Sequence, residues 1–347
     1  MTVSPSLAPR TLELVSVVAP VYNEEASIDE FYARVCSALD GVPFEIVLVD
    51  DGSTDGSPLC LERLVENDDR VRIIYLSRNF GHQTALTAGL DHARGNAVVM
   101  IDADLQDPPE LITTMLDHWR AGCDVVYAVR EQRNGESRFK LSTAKWFYAL
   151  FDKLAQVELQ HNSGDFRLLD RRPLDALLSM RERNRFLRGM TVWVGYTQAA
   201  VPYNRDSRYA GETKYTVSKM LRFSLDAISS FSDRPLQLAT LFGFAISTLA
   251  FIAIPVVAVL RLLGSYLPGF SALTILVLLL GGIELIAIGI IGEYVGRIYD
   301  EVKGRPLYLV RARRNIPDTP SEHEHEHEPG LQPRRELPLG GDSSRRL

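Results

Sequence analysis

The sequence predicts an α/β protein with a mostly parallel sheet, extended by interfacial helices and a two-helix transmembrane hairpin. Three observations lead there. Short apolar strands alternate with helical segments from Leu14 to Val129, the pattern of a parallel sheet covered on both faces. Acidic clusters sit where three of those strands end. Two long apolar runs follow after residue 236.

The elements follow in order. Leu14–Pro20 is an apolar strand ending at a turn, and Ile28–Leu39 has helical periodicity. Phe44–Val49 is the second strand, with Leu59–Val65 inside the next helix. Val71–Leu76 is the third strand and Thr84–Arg94 a helix. Ala97–Ile101 is the fourth strand, Pro109–Ala121 a helix with proline in its first turn, and Val125–Val129 the fifth strand.

The hairpin is read from length and charge. Leu238–Leu260 carries no charge, and Ala272–Gly292 is interrupted only by Glu284. Each matches the ~20 apolar residues that cross a bilayer. The connector Arg261–Ser271 contains the turn Pro268-Gly269 and one cation. The flanks are richer, with Lys214, Lys219, Arg222 and Arg234 before and Arg297, Lys303, Arg305, Arg311, Arg313 and Arg314 after. The positive-inside rule puts both flanks in the cytoplasm. The expected localisation is thus the cell membrane, multi-pass, with the first domain and the C-terminus cytoplasmic. Residues 138–157 and 216–235 mix aromatic, aliphatic and basic side chains at helical spacing. They suit the headgroup plane or packing on the soluble domain or another subunit.

The expected organisation is an N-terminal extension 1–13, a catalytic domain 14–215 with an interfacial helix near 138–157, a juxtamembrane helix 216–235, the hairpin 236–292, a cytoplasmic segment 293–311 and a disordered tail 312–347. Overall composition masks this division: 46% hydrophobic and 24% charged residues are ordinary for a globular chain. The net charge of −6 says little about partners, because half of it lies in the tail from Asn315. The tail's EHEHEHE run reads as a solvated segment. Cys36, Cys60 and Cys123 form no CxxC pair and read as small buried hydrophobes. The first residues lack the apolar core of a signal peptide.

Ligands of open parallel sheets bind beyond the carboxyl ends of the strands. Here those ends read Pro20-Val21-Tyr22-Asn23-Glu24-Glu25, Asp50-Asp51-Gly52-Ser53-Thr54-Asp55 and Asp102-Ala103-Asp104-Leu105-Gln106-Asp107. Asp55 taken alone suits a helix cap and Asp50 a turn. Capping needs one carboxylate per junction, so it explains the set poorly. Asp102 and Asp104, two residues apart in an extended strand end, point the same way. Hard oxygen donors of this kind suit Mg²⁺ or Mn²⁺, with substrate phosphates completing the shell. Neither GxxxxGK[ST] nor GxGxxG occurs, which argues against a P-loop or a dinucleotide site. No nucleic-acid partner is expected.

At these residues the chain resembles the family 2 glycosyltransferases of GT-A fold, in particular the polyprenyl-phosphate glycosyltransferases with two C-terminal transmembrane helices. The likeness is carried in order by VVAPVYNEE (17–25), IVLVDDGSTDGS (46–57), LSRNFGHQTALTAGLDHA (76–93), VVMIDADLQDPPE (98–110), SGDFRLLDR (163–171), RFLRGM (185–190), YAGETKY (209–215) and IGEYVGRIYDEVKGRPLY (291–308). It implies inverting transfer of a sugar from a UDP- or GDP-sugar to polyprenyl phosphate at the membrane. Pro20, Tyr22, Glu24, Asp50 and Asp51, with Asp102 and Ala103, would bind the nucleotide-sugar. Asp102, Asp104 and Gln106 would hold the cation. Asp104, Asp165 and Arg188 would serve the reacting centre, and Arg205, Arg208 and Lys214 the acceptor phosphate. His82 stands where relatives often carry lysine, which weakens a charge role there because histidine is mostly neutral at pH 7. Such relatives can be homo-oligomers, and the hairpin with Glu284 permits it. A processive polysaccharide synthase would have QxxRW and more spans, and neither is present. A non-catalytic membrane scaffold leaves the acidic and basic motifs without a use.

Overall fold

A computed structural model describes residues 10–130, 163–203 and 270–316, with isolated positions between 236 and 259. The N-terminal alternation folds as read. Strands β1 (Val15–Val21), β2 (Phe44–Asp50), β3 (Val71–Leu76) and β4 (Ala97–Met100) alternate with helices α1 (Ile28–Ala38), α2 (Ser57–Asn67) and α3 (His82–His92). Helix α4 (Leu111–Arg120) and strand β5 (Val125–Arg130) follow. Pro109 lies before α4 rather than in its first turn, with Glu110 at the cap position. The four strands are mostly apolar because both faces are covered, with Ser16, Glu45, Asp50 and Arg72 the polar exceptions, and their residues are buried almost without exception.

The second half departs from simple alternation. Strand β6 (Ser163–Asp170) leads into helices α5 (Arg171–Ser179) and α6 (Leu187–Trp193), then strand β7 (Gln198–Tyr203). The eight described strands run β7-β5-β6-β4-β1-β2-β3-β8. The pairs β4/β1, β1/β2 and β2/β3 are parallel, as is β5/β7, whereas β6 is antiparallel to both β4 and β5. The fifth strand therefore does not pair with the fourth, because β6 is inserted between them. That insertion matters for the site. Met100 pairs with Arg167, so extending the register by two residues sets Asp102 opposite Asp165.

Helix α7 (Phe270–Val302) is 33 residues long, and the chain then returns to the sheet. Strand β8 (Val310–Arg314) pairs antiparallel with the edge strand β3. It lies across the expected 311/312 boundary of the tail, whose first residues are thus part of the sheet. Tyr308 donates to Asp91 at the end of α3 (2.7 Å), Arg183 N–H donates to Glu301 (2.7 Å), and Arg314 pairs with Glu62 (3.0 Å). A second unit, residues 316–347, lies outside the described residues beyond Ile316.

Among the described residues, no helix is long and apolar enough to cross a membrane. The first apolar run is described only at isolated positions, and several side chains of the second lie outside the described residues. The transmembrane hairpin expected from the sequence therefore has no support there. The segments 138–157, 204–215 and 216–235 also lie outside the described residues, and with them Arg205, Arg208 and Lys214. All three cysteines are free.

Candidate active site

The register places the acidic strand ends on one edge. Val21 pairs with Asp50 and Val18 with Met100, so the segments after β1, β2 and β4 emerge side by side. On the β1–β2 side the loops bind one another. Asn23, at φ 57°, takes a hydrogen bond from Thr54 N–H and donates its own N–H to Ser53 Oγ. Glu24 N–H donates to Ser57 Oγ. Tyr22 stands 46% exposed at the rim, whereas Pro20 lies within β1.

Asp50 and Asp51 are both buried but engaged differently. Asp51 accepts the N–H groups of Phe80 (2.7 Å) and Gly81 (2.9 Å), fixing the loop that leads into α3. Burial pushes its carboxyl upward, and those two bonds oppose the shift. Asp50 Oδ1 accepts Ser53 N–H, and its buried Oδ2 has no hydrogen-bond partner. Between loop and strand, Gly52 sits at φ 71°. A Cβ there would stand 2.8 Å from the backbone of Arg78 and Asn79, so only glycine fits.

The segment after β4 differs from the sequence expectation. β4 ends at Met100, and residues 103–107 form a turn, not an extended strand end. Leu105 adopts φ 61° with its side chain buried in the core. That burial holds the left-handed backbone in place. Asp104 Oδ1 caps Gln106 N–H at 3.1 Å within the turn. Ala103 is buried. Asp104 thus comes from the turn and Asp102 from the residue just before it, and the alternation of an extended strand does not apply to the pair. Beyond them, Asp107 accepts the hydroxyl proton of Tyr203, and Arg130 donates to Tyr203 Oη at 3.1 Å. This knot ties the ends of β5 and β7 to the acidic turn.

Asp165 lies on β6 with its side chain 7% exposed. Arg188, on α6, donates through Nε to Oδ1 (2.7 Å) and through Nη2 to Oδ2 (3.2 Å). Gln83 Nε2 also donates to Oδ2 (3.1 Å), and His82 Nε2 stands 3.3 Å away. Burial alone would raise this carboxyl's pKa. Arg188 and His82 outweigh it and hold the group far below the usual carboxylate range. His82 also lies 3.4 Å from Asp102 Oδ1. Burial disfavours its charged form, but Asp102 and Asp165 push its pKa up to about 9. The expectation of a weakened charge role rested on the ordinary pKa of histidine, whereas here two carboxylates shift the balance of His82 towards its charged form.

Asp102 Oδ1 is shielded from solvent and makes no hydrogen bond, since His82 is close but not in bonding geometry. Burial, with Asp165, Asp104 and Asp107 nearby, pushes its carboxyl up to about 6 against the pull of His82. Such crowded, under-bonded oxygen is what a divalent cation relieves, so the donor set fits Mg²⁺ or Mn²⁺. Among the described residues, no group of three or more His, Cys, Asp or Glu side chains could hold a metal alone.

Sequence reasoning missed Gln83, Asp107 with Tyr203, and Arg167. Arg167 is buried on β6, bonds Thr191, and donates to the carbonyl of Arg188 at 3.2 Å. A charged residue alternating with Phe166 and Leu168 in a strand was the available signal for it.

The model of the family described as Glycosyl transferase family 2 matches residues 16–178. The chain is 49% identical over 299 residues to the uncharacterized glycosyltransferase YkcC of Bacillus subtilis, covering 85% of this chain and 93% of that protein. It is 40% identical over 300 residues to the prophage bactoprenol glucosyl transferase homolog of Escherichia coli, covering 86% and 98%. It is 40% identical over 301 residues to the bactoprenol glucosyl transferase of Shigella phage SfII, covering 86% and 97%. The chain belongs to glycosyl transferase family 2, with the GT-A-like α/β fold described above. It is a glycosyltransferase of that family.

Proposed function

We propose that the protein transfers a sugar, with inversion, from a UDP- or GDP-sugar to the phosphate of a polyprenyl phosphate at the cytoplasmic membrane surface. The observation that carries this reading is the state of Asp165. It accepts two bonds from Arg188 and one from Gln83 and lies beside His82. A carboxylate so engaged has its lone pairs committed and is a poor base. Transfer to a hydroxyl needs its proton removed, whereas a phosphomonoester near neutral pH already carries about −1.5 to −2 charge. The site suits an acceptor that arrives deprotonated. Two relatives bearing the words bactoprenol glucosyl transferase in their names support the same acceptor class.

The residues then divide the work. Pro20, Tyr22, Glu24, Asp50, Asp51 and Ala103 line the donor site, and the buried Oδ2 of Asp50 has a hydrogen bond still to accept. Asp102, Asp104 and Gln106 would hold Mg²⁺ or Mn²⁺, which neutralises charge on the leaving nucleoside diphosphate. Asp165 anchors Arg188, whose guanidinium keeps a 34% exposed side chain and offers a fork suited to phosphate. Arg205, Arg208 and Lys214 supply further cations for the acceptor phosphate. Positioning and electrostatics carry the rate, with little called for from general base catalysis.

The membrane hairpin belongs to this proposal. Its support is the uncharged run 238–260 and a second run broken only by Glu284. The chain leaves the sheet after β7 and rejoins it at β8. Any crossings between Tyr203 and Val310 are therefore even in number, as two spans require. The test is a screen of UDP- and GDP-sugars with Mg²⁺ or Mn²⁺, with and without polyprenyl phosphate, on protein in nanodiscs, following the lipid by mass spectrometry. A lipid gaining one sugar with a single donor supports the reading. Donor turnover that is indifferent to the lipid overturns it.

A further inference from the structure

We infer that Gln83 is a positioning residue for the transfer step, acting through Asp165 and Arg188 without touching substrate. The inference rests on the roles given to that pair above. Gln83 is the second residue of α3, and its amide links two other elements. Nε2 donates to Asp165 Oδ2 on β6 at 3.1 Å, and Oε1 accepts the N–H of Leu187 at 3.0 Å. Leu187 is the first residue of α6, and Arg188 is the next. One side chain thus joins the carboxylate to the helix start that presents its guanidinium partner.

The bond to Leu187 answers a specific need. The first N–H groups of a helix have no partner within it. The cap position of α6 is Phe186, whose side chain makes no capping bond. Gln83 supplies an acceptor from 104 residues away in sequence. Arg167 holds the same turn from beneath through the Arg188 carbonyl and Thr191. Arg188 therefore starts from a backbone pinned by two distant side chains, and its fork meets Asp165 without searching. One amide orientation alone serves both neighbours, since Leu187 N–H donates and an ionised carboxylate accepts. Glutamate at 83 would set a carboxylate against Asp165. Methionine would remove both bonds at similar size.

The test uses the full chain in nanodiscs with the donor found by the screen and polyprenyl phosphate. Gln83→Met and Gln83→Glu are compared with wild type for kcat, for KM of each substrate and for thermal unfolding. Displacing a reacting group by ~1 Å costs up to roughly 100-fold. A fall in kcat of about 10- to 100-fold is expected, with donor KM close to wild type and the protein still folded at the assay temperature. The decisive readout is non-additivity: in an Arg188→Ala background, Gln83→Met should cost nothing further, because it acts through the residue already removed. A merely structural role would still lower kcat in that background. Should Gln83→Met fail to fold, Gln83→Glu carries the same comparison. Wild-type kcat in a folded Gln83 variant, or full additivity with Arg188→Ala, overturns the inference while leaving the acceptor assignment intact. Wild-type kcat in Arg188→Ala, or no transfer to the lipid by wild type, overturns the roles of Asp165 and Arg188 and this inference with them.

Discussion

Replacing Asp165 with asparagine separates an anchor from a general base. The two side chains have the same shape, but asparagine offers one acceptor oxygen. In the native site Oδ1 takes Arg188 Nε, while Arg188 Nη2 and Gln83 Nε2 converge on Oδ2 beside His82. Whichever way the new amide turns, its NH₂ faces donors. At least one charge-assisted bond to Arg188 and the neutralising charge are lost, each bond to a charged group being worth about 1.5–3 kcal/mol. Arg188 is 34% exposed, so water recovers part of that loss. A net cost of about 2–3 kcal/mol in holding Arg188 corresponds to roughly 30- to 150-fold in kcat. The assay is steady-state transfer to polyprenyl phosphate across pH. An anchor lowers kcat without altering the shape of the profile, whose acid limb belongs to the acceptor phosphate, with a second pKa of ≈ 6. A variant whose rate becomes proportional to hydroxide, or whose kcat stays within about threefold of wild type, would refute this reasoning.

Three further outcomes are expected. Asp104→Ala, like removal of divalent cations by a chelator, should abolish turnover while leaving folding and membrane association intact; Mg²⁺ or Mn²⁺ should restore the chelated wild type and not the variant. Tyr308→Phe removes a 2.7 Å bond to Asp91 that ties the segment before β8 to α3, so denaturant unfolding should show a loss of about 1–3 kcal/mol with kcat unchanged. Arg70 holds the carboxyl of Asp68 down to about 2. Its folded pKa lies below the unfolded value of ≈ 3.9, so its stabilising contribution is complete above that value and is lost as pH falls towards 2. Acid unfolding of Asp68→Asn should lack that component.

Much of the site was legible because its residues sit at strand ends that alternation alone locates. β1 to β4 are buried on both faces and read as mostly apolar runs, so Glu24, Asp51, Asp102 and Asp104 fell beyond them on one edge, with Asp50 closing β2. The insertion of β6 was not legible. A strand antiparallel to β4 and β5 carries the same apolar pattern as a parallel one, and only pairing reveals that Asp165 comes opposite Asp102. Asp102 and Asp104 were read as lying in an extended strand end, and nothing in the sequence announces the turn at 103–107 or the left-handed backbone that burial holds at Leu105. His82 was read as neutral from its ordinary pKa, since the two carboxylates beside it lie 20 and 83 residues away in sequence. Gln83 carried no signal, as a polar residue in a first helical turn is commonplace. β8 was hidden by its arginines, which suit an exposed edge strand as well as a basic flank.

The most direct test of the acceptor assignment is phosphorus NMR of the lipid during turnover in nanodiscs. The account predicts that the phosphomonoester signal of polyprenyl phosphate gives way to a phosphodiester signal, one for each sugar released from the donor. Consumption of donor while the monoester signal persists would contradict it, placing the sugar on water or on another acceptor.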